Sequence, residues 1–301
     1  MNIKNRWIED SLGIIAITKI FKVIKKGGEL KKSLSPYNDI DNLTDFRGLD
    51  LNQIKINRLR VTDADFTESS FSSSFINKSV FQNSIFGKVD FTDFSDSGNE
   101  YKACLFSRCR FQKSAIGYKG SNYVNCTFES CNFSGAVFIR GEFDNCKFLN
   151  CNLKNIDFNG SSFTNCTFEG KLEGVWFRGG YGFEQDIKEF GKPRKNKMSN
   201  VSFENATLIG VNFSNDCELS SVKLPLVGKY KLFDDWNYRL EKLSKEIENW
   251  PEQKRNEANI FVSSHLVHSK KQKWFILNIE EVIDDFGKEV TNEMIYILAK
   301  D

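Results

Sequence analysis

The 301-residue sequence is short of most residues that announce a function. It holds 2 His, 3 Met and 4 Pro against 28 Phe. Charge of one sign is also missing: 42 Lys and Arg face 40 Asp and Glu, a formal net charge of +2. That balance excludes a strongly electrostatic partner for the chain as a whole, so no direct nucleic-acid contact is expected. Long apolar runs are absent. The stretch Leu12 to Phe21 is about half of what crosses a bilayer and is interrupted by Lys19. The N-terminus has no n-region, apolar core or small-residue cleavage site, so the 8 Cys are expected in a reducing cytoplasm, with disulfides disfavoured.

Motifs for chemistry are missing as well. "GGYGFEQD" is neither a dinucleotide fingerprint nor a phosphate loop, and "FGKPRK" lacks the Ser or Thr and the earlier Gly. No Gly-x-Ser-x-Gly elbow or HExxH helix occurs. His265 and His268 stand i, i+3 with no acidic or cysteine partner at metal-ligand spacing. The pairs Asp234–Asp235, Glu280–Glu281 and Asp284–Asp285 read as solvated helix faces. The expectation is a protein that is not an enzyme, with no catalytic residue, metal or cofactor.

What is present is a repeat. Apolar residues fall every five positions at Phe46, Leu51, Ile56, Val61, Phe66, Phe71, Ile76, Phe81, Phe86 and Phe91, miss at Asp96, and continue through Tyr101, Phe106, Phe111 and Ile116. Two extra residues near Tyr118 to Gly120 shift the frame, which resumes at Tyr123, Phe128, Phe133, Phe138, Phe143, Phe148, Leu153, Phe158, Phe163 and Phe168. A period of five suits neither a helix, at about 100° per residue, nor a strand, which alternates faces. The chain must turn a corner every five residues. A small residue sits two positions before most large ones (Ala64, Ser69, Ser74, Cys104, Cys109, Ser114). Residues two apart share a strand face, so each segment points one small and one large side chain inward. Stacking such turns is the logic of a solenoid.

The segments "DADFTESSF", "CNFSGAVF", "CNLKNIDF" and "ENATLIGVNF" resemble the pentapeptide-repeat family. The resemblance covers roughly residues 44–168 and 200–215. It implies a right-handed quadrilateral β-helix with four pentapeptides, hence twenty residues, per coil: an all-β solenoid, here with added α elements. On a twenty-residue turn Cys126, Cys146 and Cys166 form one column and Cys131 and Cys151 another. Cys104 and Cys109 extend both, offset by the two-residue insertion. Parallel stacked thiols neither converge on a metal nor face each other for a disulfide, so they fill the small interior position. Asn125, Asn145 and Asn165 precede them as a structural ladder. Cys217 lies off the frame and is the first candidate for reactivity.

The flanks read differently. Residues 1–40 hold an amphipathic helix, to about residue 32, which caps the solenoid or lies on an anionic membrane surface. The solenoid is expected over 41–228 with a long loop, 169–200, where the ladder is lost. That loop offers Trp176, Phe177, Tyr181, Arg194, Lys195 and Lys197 to a partner. Residues 229–301 read as a helical domain. The seam Phe233, Trp236, Leu240, Leu243, Ile247 and Trp250 packs within it or against a second copy, giving a homodimer.

The expected function is a non-enzymatic interaction or scaffold protein acting through an unidentified protein partner. The family resemblance also implies topoisomerase protection by DNA mimicry. A mimic needs a strongly negative rod, whereas Arg47, Lys55, Arg58, Arg60, Lys78, Lys88, Arg108 and Arg110 interleave the acids here.

Overall fold

The computed structural model describes residues 3–300. Its centre is a parallel β-solenoid with four faces. Two eight-stranded sheets and one six-stranded sheet make three of them. The remaining face is a column of single bridges joining Asp50, Ser70, Asp90, Arg110, Asn132 and Asn152. Each coil visits one face per five residues. Between faces stands a residue with positive φ, such as Arg58, Asp63, Ser73, Lys78, Asn83 and Lys88. That left-handed residue is the corner the period demanded. Asn bears it at less cost than most side chains, and Asn125, Asn145 and Asn165 occupy such corners at φ 55, 51 and 53°. Asn145 Nδ2 also donates to Asn125 Oδ1 at 2.7 Å.

The interior consists of stacked rings. Phe106, Phe128, Phe148 and Phe168 follow one another at centroid spacings of 4.8, 4.9 and 4.9 Å, within 11° of parallel. Phe128, Phe133, Phe148, Phe158, Phe163 and Phe168 are all buried, as are Cys126, Cys131, Cys146, Cys151 and Cys166. The small position has a polar task too. Ser69 Oγ donates to Phe46 O at 3.0 Å, twenty-three residues back on the coil below. Cys146 Sγ donates in the same way to Tyr123 O at 3.3 Å and Cys166 to Phe143 O at 3.5 Å.

Both open ends of the stack are covered. At the first coil, α1 (Arg6–Glu9) and α2 (Ser11–Lys26) replace the single helix expected to residue 32. The extended Asp10 breaks the helix and caps α2 by accepting from Gly13 N. Gly27, at φ 69°, ends it. Trp7, Ala16, Ile20 and Ile24 pack inward. Trp7 Nε1 donates to Arg47 O at 2.8 Å, and Arg6 pairs with Asp45 through both guanidinium Nη atoms. Leu30 N and Arg60 N bond across to Arg60 O and Gly28 O, both at 2.8 Å, which closes part of the first coil's edge.

At the far end the ladder persists beyond Phe168, against the expectation that it is lost there. Residues Thr167–Glu173 and Trp176–Arg178 are strands, with Leu172 and Phe177 on the inward positions. The step from Phe168 to Leu172 is four residues, one short, which hides the frame. The true excursion is therefore residues 179–197, inserted at one corner, after which Met198 re-enters the core.

The remainder holds α4 (Trp236–Glu246), α5 (Glu252–Ser269), α6 (Ile279–Phe286) and α7 (Lys288–Leu298), preceded in the excursion by the short α3 (Asp186–Phe190). This segment is not wholly helical: Tyr230–Phe233 pairs antiparallel with Phe275–Asn278. Trp236, Leu240, Leu243 and Ile247 are each no more than 1 % exposed inside one cluster with Phe261, Met294 and Leu298. The seam is thus used within the chain.

Candidate interaction surface

The excursion is built on a fixed base. Asn196 is buried, and its side chain accepts from Phe163 N at 3.0 Å while donating to Arg178 O at 3.1 Å. Tyr181, 7 % exposed, donates its hydroxyl to Gly191 O at 2.9 Å. From the coil below, Arg140 Nη1 donates to Phe190 O at 2.7 Å. These contacts, with Asn159 Nδ2 donating to Asp186 at 3.1 Å, tie the excursion down onto the solenoid. Phe183 and Ile187 then stand 69 % and 46 % exposed beside Lys188 and Lys192.

The six residues expected to meet a partner therefore divide. Phe177 is fully buried as a ladder residue and cannot touch one. Tyr181 is an internal clamp. Trp176 is half-buried, with its ring edge-on to His268 at 5.2 Å. Arg194, Lys195 and Lys197 are exposed; Arg194 lies 3.8 Å from Glu142 and Lys195 bonds Asp216 at 2.6 Å. Phe183 and Ile187 were missed because sequence alone does not say which aromatic or aliphatic residues of a loop fold inward.

Asp216 joins this surface to a second basic segment, since its backbone N–H also donates to Lys271 O. Lys270, Lys271 and Lys273 border an open groove of about 710 Å³ against Asp216, Asp235 and Asn237. Lysines 75 residues apart in sequence (195 and 270) thus share one side of the molecule. The histidines do not form a ligand pair: His265 bonds Phe261 O through Nδ1 at 2.8 Å, and burial pushes its pKa down. Among the described residues no group of three His, Cys, Asp or Glu could hold a metal ion.

Cys217 corrects another expectation. It is 1 % exposed, and burial pushes its thiol up well beyond the ordinary range. Its backbone is paired on both sides by one side chain: Gln272 Oε1 accepts from Cys217 N at 3.0 Å and Nε2 donates to Cys217 O at 2.7 Å. The same substitution of side chain for strand recurs nearby. Tyr230 OH accepts from Leu208 N at 3.1 Å, Asn278 Nδ2 donates to Leu208 O at 2.9 Å, and Glu281 accepts from Gly210 N at 2.7 Å. The C-terminal segment, through its antiparallel strand pair, the turn before it and α6, seals the last coil with side-chain amides, a hydroxyl and a carboxylate, satisfying backbone groups that would otherwise lie open.

Corners every five residues, stacked rings and two sealed ends define a four-faced parallel β-solenoid. The family model described as a pentapeptide repeat region matches residues 99–177, so this stretch of the solenoid is a pentapeptide-repeat region. No curated protein matches the chain. Among solved structures, trypsin-treated QnrB1, a plasmid-mediated fluoroquinolone resistance protein, is 14 % identical over 57 % of this chain and 90 % of its own, at a TM-score of 0.34. HetL, a pentapeptide repeat protein involved in heterocyst differentiation regulation in the cyanobacterium Nostoc, is 10 % identical over 60 % and 81 %, at 0.35. Rfr23 from the cyanobacterium Cyanothece is 10 % identical over 69 % and 98 %, at 0.18.

Proposed function

We propose that the protein is a non-enzymatic interaction module of the cytoplasm, a rigid rod whose partner surface is the part of the excursion from 182 to 197 with the neighbouring turn 270–273. One observation carries this reading: Phe183 and Ile187 are exposed on an excursion that the buried Tyr181 and Asn196 and the half-buried Arg140 tie down. Exposed apolar side chains on a braced loop that also carries Glu184, Glu189, Lys188 and Lys192 at its surface suit a protein face with an apolar centre and a mixed-charge margin. Preorganisation removes much of the ordering cost of binding.

The test compares wild type with Phe183→Ser/Ile187→Ser as bait in host lysate, followed by reconstitution with the purified prey. A stoichiometric partner that binds wild type and loses at least tenfold affinity for the variant supports the reading. Equal binding by both baits contradicts it.

A further inference from the structure

We propose that the outward face of α2 is a docking surface for an anionic membrane, on which the solenoid stands by its first coil. The inward face of this helix is committed: Ala16, Ile20 and Ile24 pack onto the end of the stack. The opposite face carries a second set of large aliphatic residues that cover nothing. Leu12 is 58 % exposed, Ile14 46 % and Ile15 56 %; Ile8 of the preceding α1 is 67 % exposed. Along the spacing 12, 15, 19, 22, 26, a single helical stripe, the apolar pair is followed by Lys19, Lys22 and Lys26, all exposed, with Lys25 on the flank. No Asp or Glu occurs anywhere between Ser11 and Lys26.

Charge and shape together select the occupant. A protein interface of this apolarity is usually built around Trp, Tyr or Arg anchors and a recess, and this face has Leu, Ile and Lys with Ser11 and Thr18 on a convex helix. A fluid anionic surface needs no matching relief. Aliphatic side chains enter the boundary between headgroups and acyl chains while lysines reach the phosphates. The two kinds of residue occupy successive turns, so the N-terminal half of α2 would sit deeper than its C-terminal half. The helix need not refold or leave the solenoid to bind, because its capping face is not used.

The consequence is geometric. Seven inter-coil steps separate the eight stacked strands of one sheet, which at ~4.8 Å each is ~34 Å of rod. The excursion 182–197 lies towards the far end of that rod. A membrane at the first coil would therefore leave the proposed partner surface free above it. This placement does not depend on that partner surface, and either can fail alone.

The test uses the full chain with vesicles of phosphatidylcholine alone and of phosphatidylcholine with about one third phosphatidylglycerol, by co-sedimentation at low and physiological salt. Wild type is expected to sediment with the anionic vesicles only, and less so as salt rises. Lys19→Ala/Lys22→Ala/Lys26→Ala should weaken partition about a hundredfold, from roughly fivefold per lysine. Leu12→Ser/Ile15→Ser should abolish binding while keeping the thermal midpoint, since neither side chain packs on the core. Absence of wild-type binding to anionic vesicles overturns the proposal, as does equal binding to neutral ones or undiminished binding by these variants. Sedimentation velocity without vesicles gives the competing occupant: self-association lost in Leu12→Ser/Ile15→Ser, without lipid binding by wild type, would assign the face to a second copy.

Discussion

Tyr123 donates its hydroxyl to Asp96 Oδ2 at 2.6 Å inside the solenoid, where Asp96 holds a place that Ile76 holds one coil below. Asp96 also accepts from Asn99 Nδ2, from Tyr101 OH at 3.4 Å and from Gly117 N at 3.0 Å. Gly117 lies in the bulge where residues 115–118 slip against 95–97. The missed ladder position at 96 and the insertion three coil-faces beyond Tyr101 are thus one feature: the carboxylate fills the space and binds the N–H that the bulge turns inward.

Asp96→Ile should destabilise the protein by about 2 to 4 kcal/mol, because Tyr123, Asn99 and Gly117 lose their acceptor in a buried site. Deleting Gly117 and Gly120 in the same chain should recover much of that loss, since the regular twenty-residue coil needs no acceptor there. Denaturant midpoints of the two single changes and the combination would show the coupling; simple additivity would contradict it.

Burial raises the pKa of Asp96, opposed by its hydrogen bonds from Tyr123, Asn99 and Gly117. Its folded value lies above its unfolded one, so its contribution is full below about pH 4 and is lost as pH rises through the folded value. The stability of wild type relative to Asp96→Asn should therefore fall as pH is raised from about 4. Urea titrations of both proteins at a series of pH values measure that difference.

Asp45 behaves in the opposite sense. Burial works against its charge, but hydrogen bonds from Arg6 and Arg47 outweigh burial and hold its pKa at about 2. Its contribution is present above about pH 4 and is lost as pH falls towards 2. Arg6→Ala should cost about 2 kcal/mol at neutral pH, the scale of a hydrogen bond to a charged group. The gap between variant and wild type should close on acidification, followed by thermal unfolding.

Phe128 and Cys126 lie two residues apart and are both buried, yet they differ in what removal leaves. Phe128→Ala opens a cavity between Phe106 and Phe148 and should cost about 3 to 5 kcal/mol. Cys126→Ala removes one sulfur and a weak S–H bond to Tyr101 O at 3.4 Å, so the midpoint should barely move. Chemical denaturation of the two variants in parallel checks the ratio.

The architecture was legible because each coil repeats one constraint. A corner residue, a small residue and a large one recur every five positions, so Cys104 and Cys109 could be stacked under Cys126 and Cys131 despite the offset of two. The breaks in that constraint were harder. Leu172 falls one residue early, which made a continuing coil look like a loop and put the buried Phe177 among partner residues. Asp96 read as a gap because its donors lie up to 27 residues away, on the neighbouring coil and on another face. Gln272 gave no signal at all, since a side chain that stands in for a strand has no pattern of its own. The surface was the least legible: which residues of the excursion stay exposed depends on tertiary anchors such as Arg140 to Phe190 O and Tyr181 to Gly191 O, which carry no sequence pattern.

The central claim is that the residues resembling chemistry are architecture and that recognition is confined to the exterior. Alkylation of the native protein by iodoacetamide, read by mass spectrometry against urea-unfolded protein, tests it most directly, because all eight thiols are free and buried. The account predicts no modified cysteine in the native state over the time in which the unfolded chain is fully alkylated. Modification of Cys126 or Cys217 at the rate of a free thiol, with the fold intact, would contradict it.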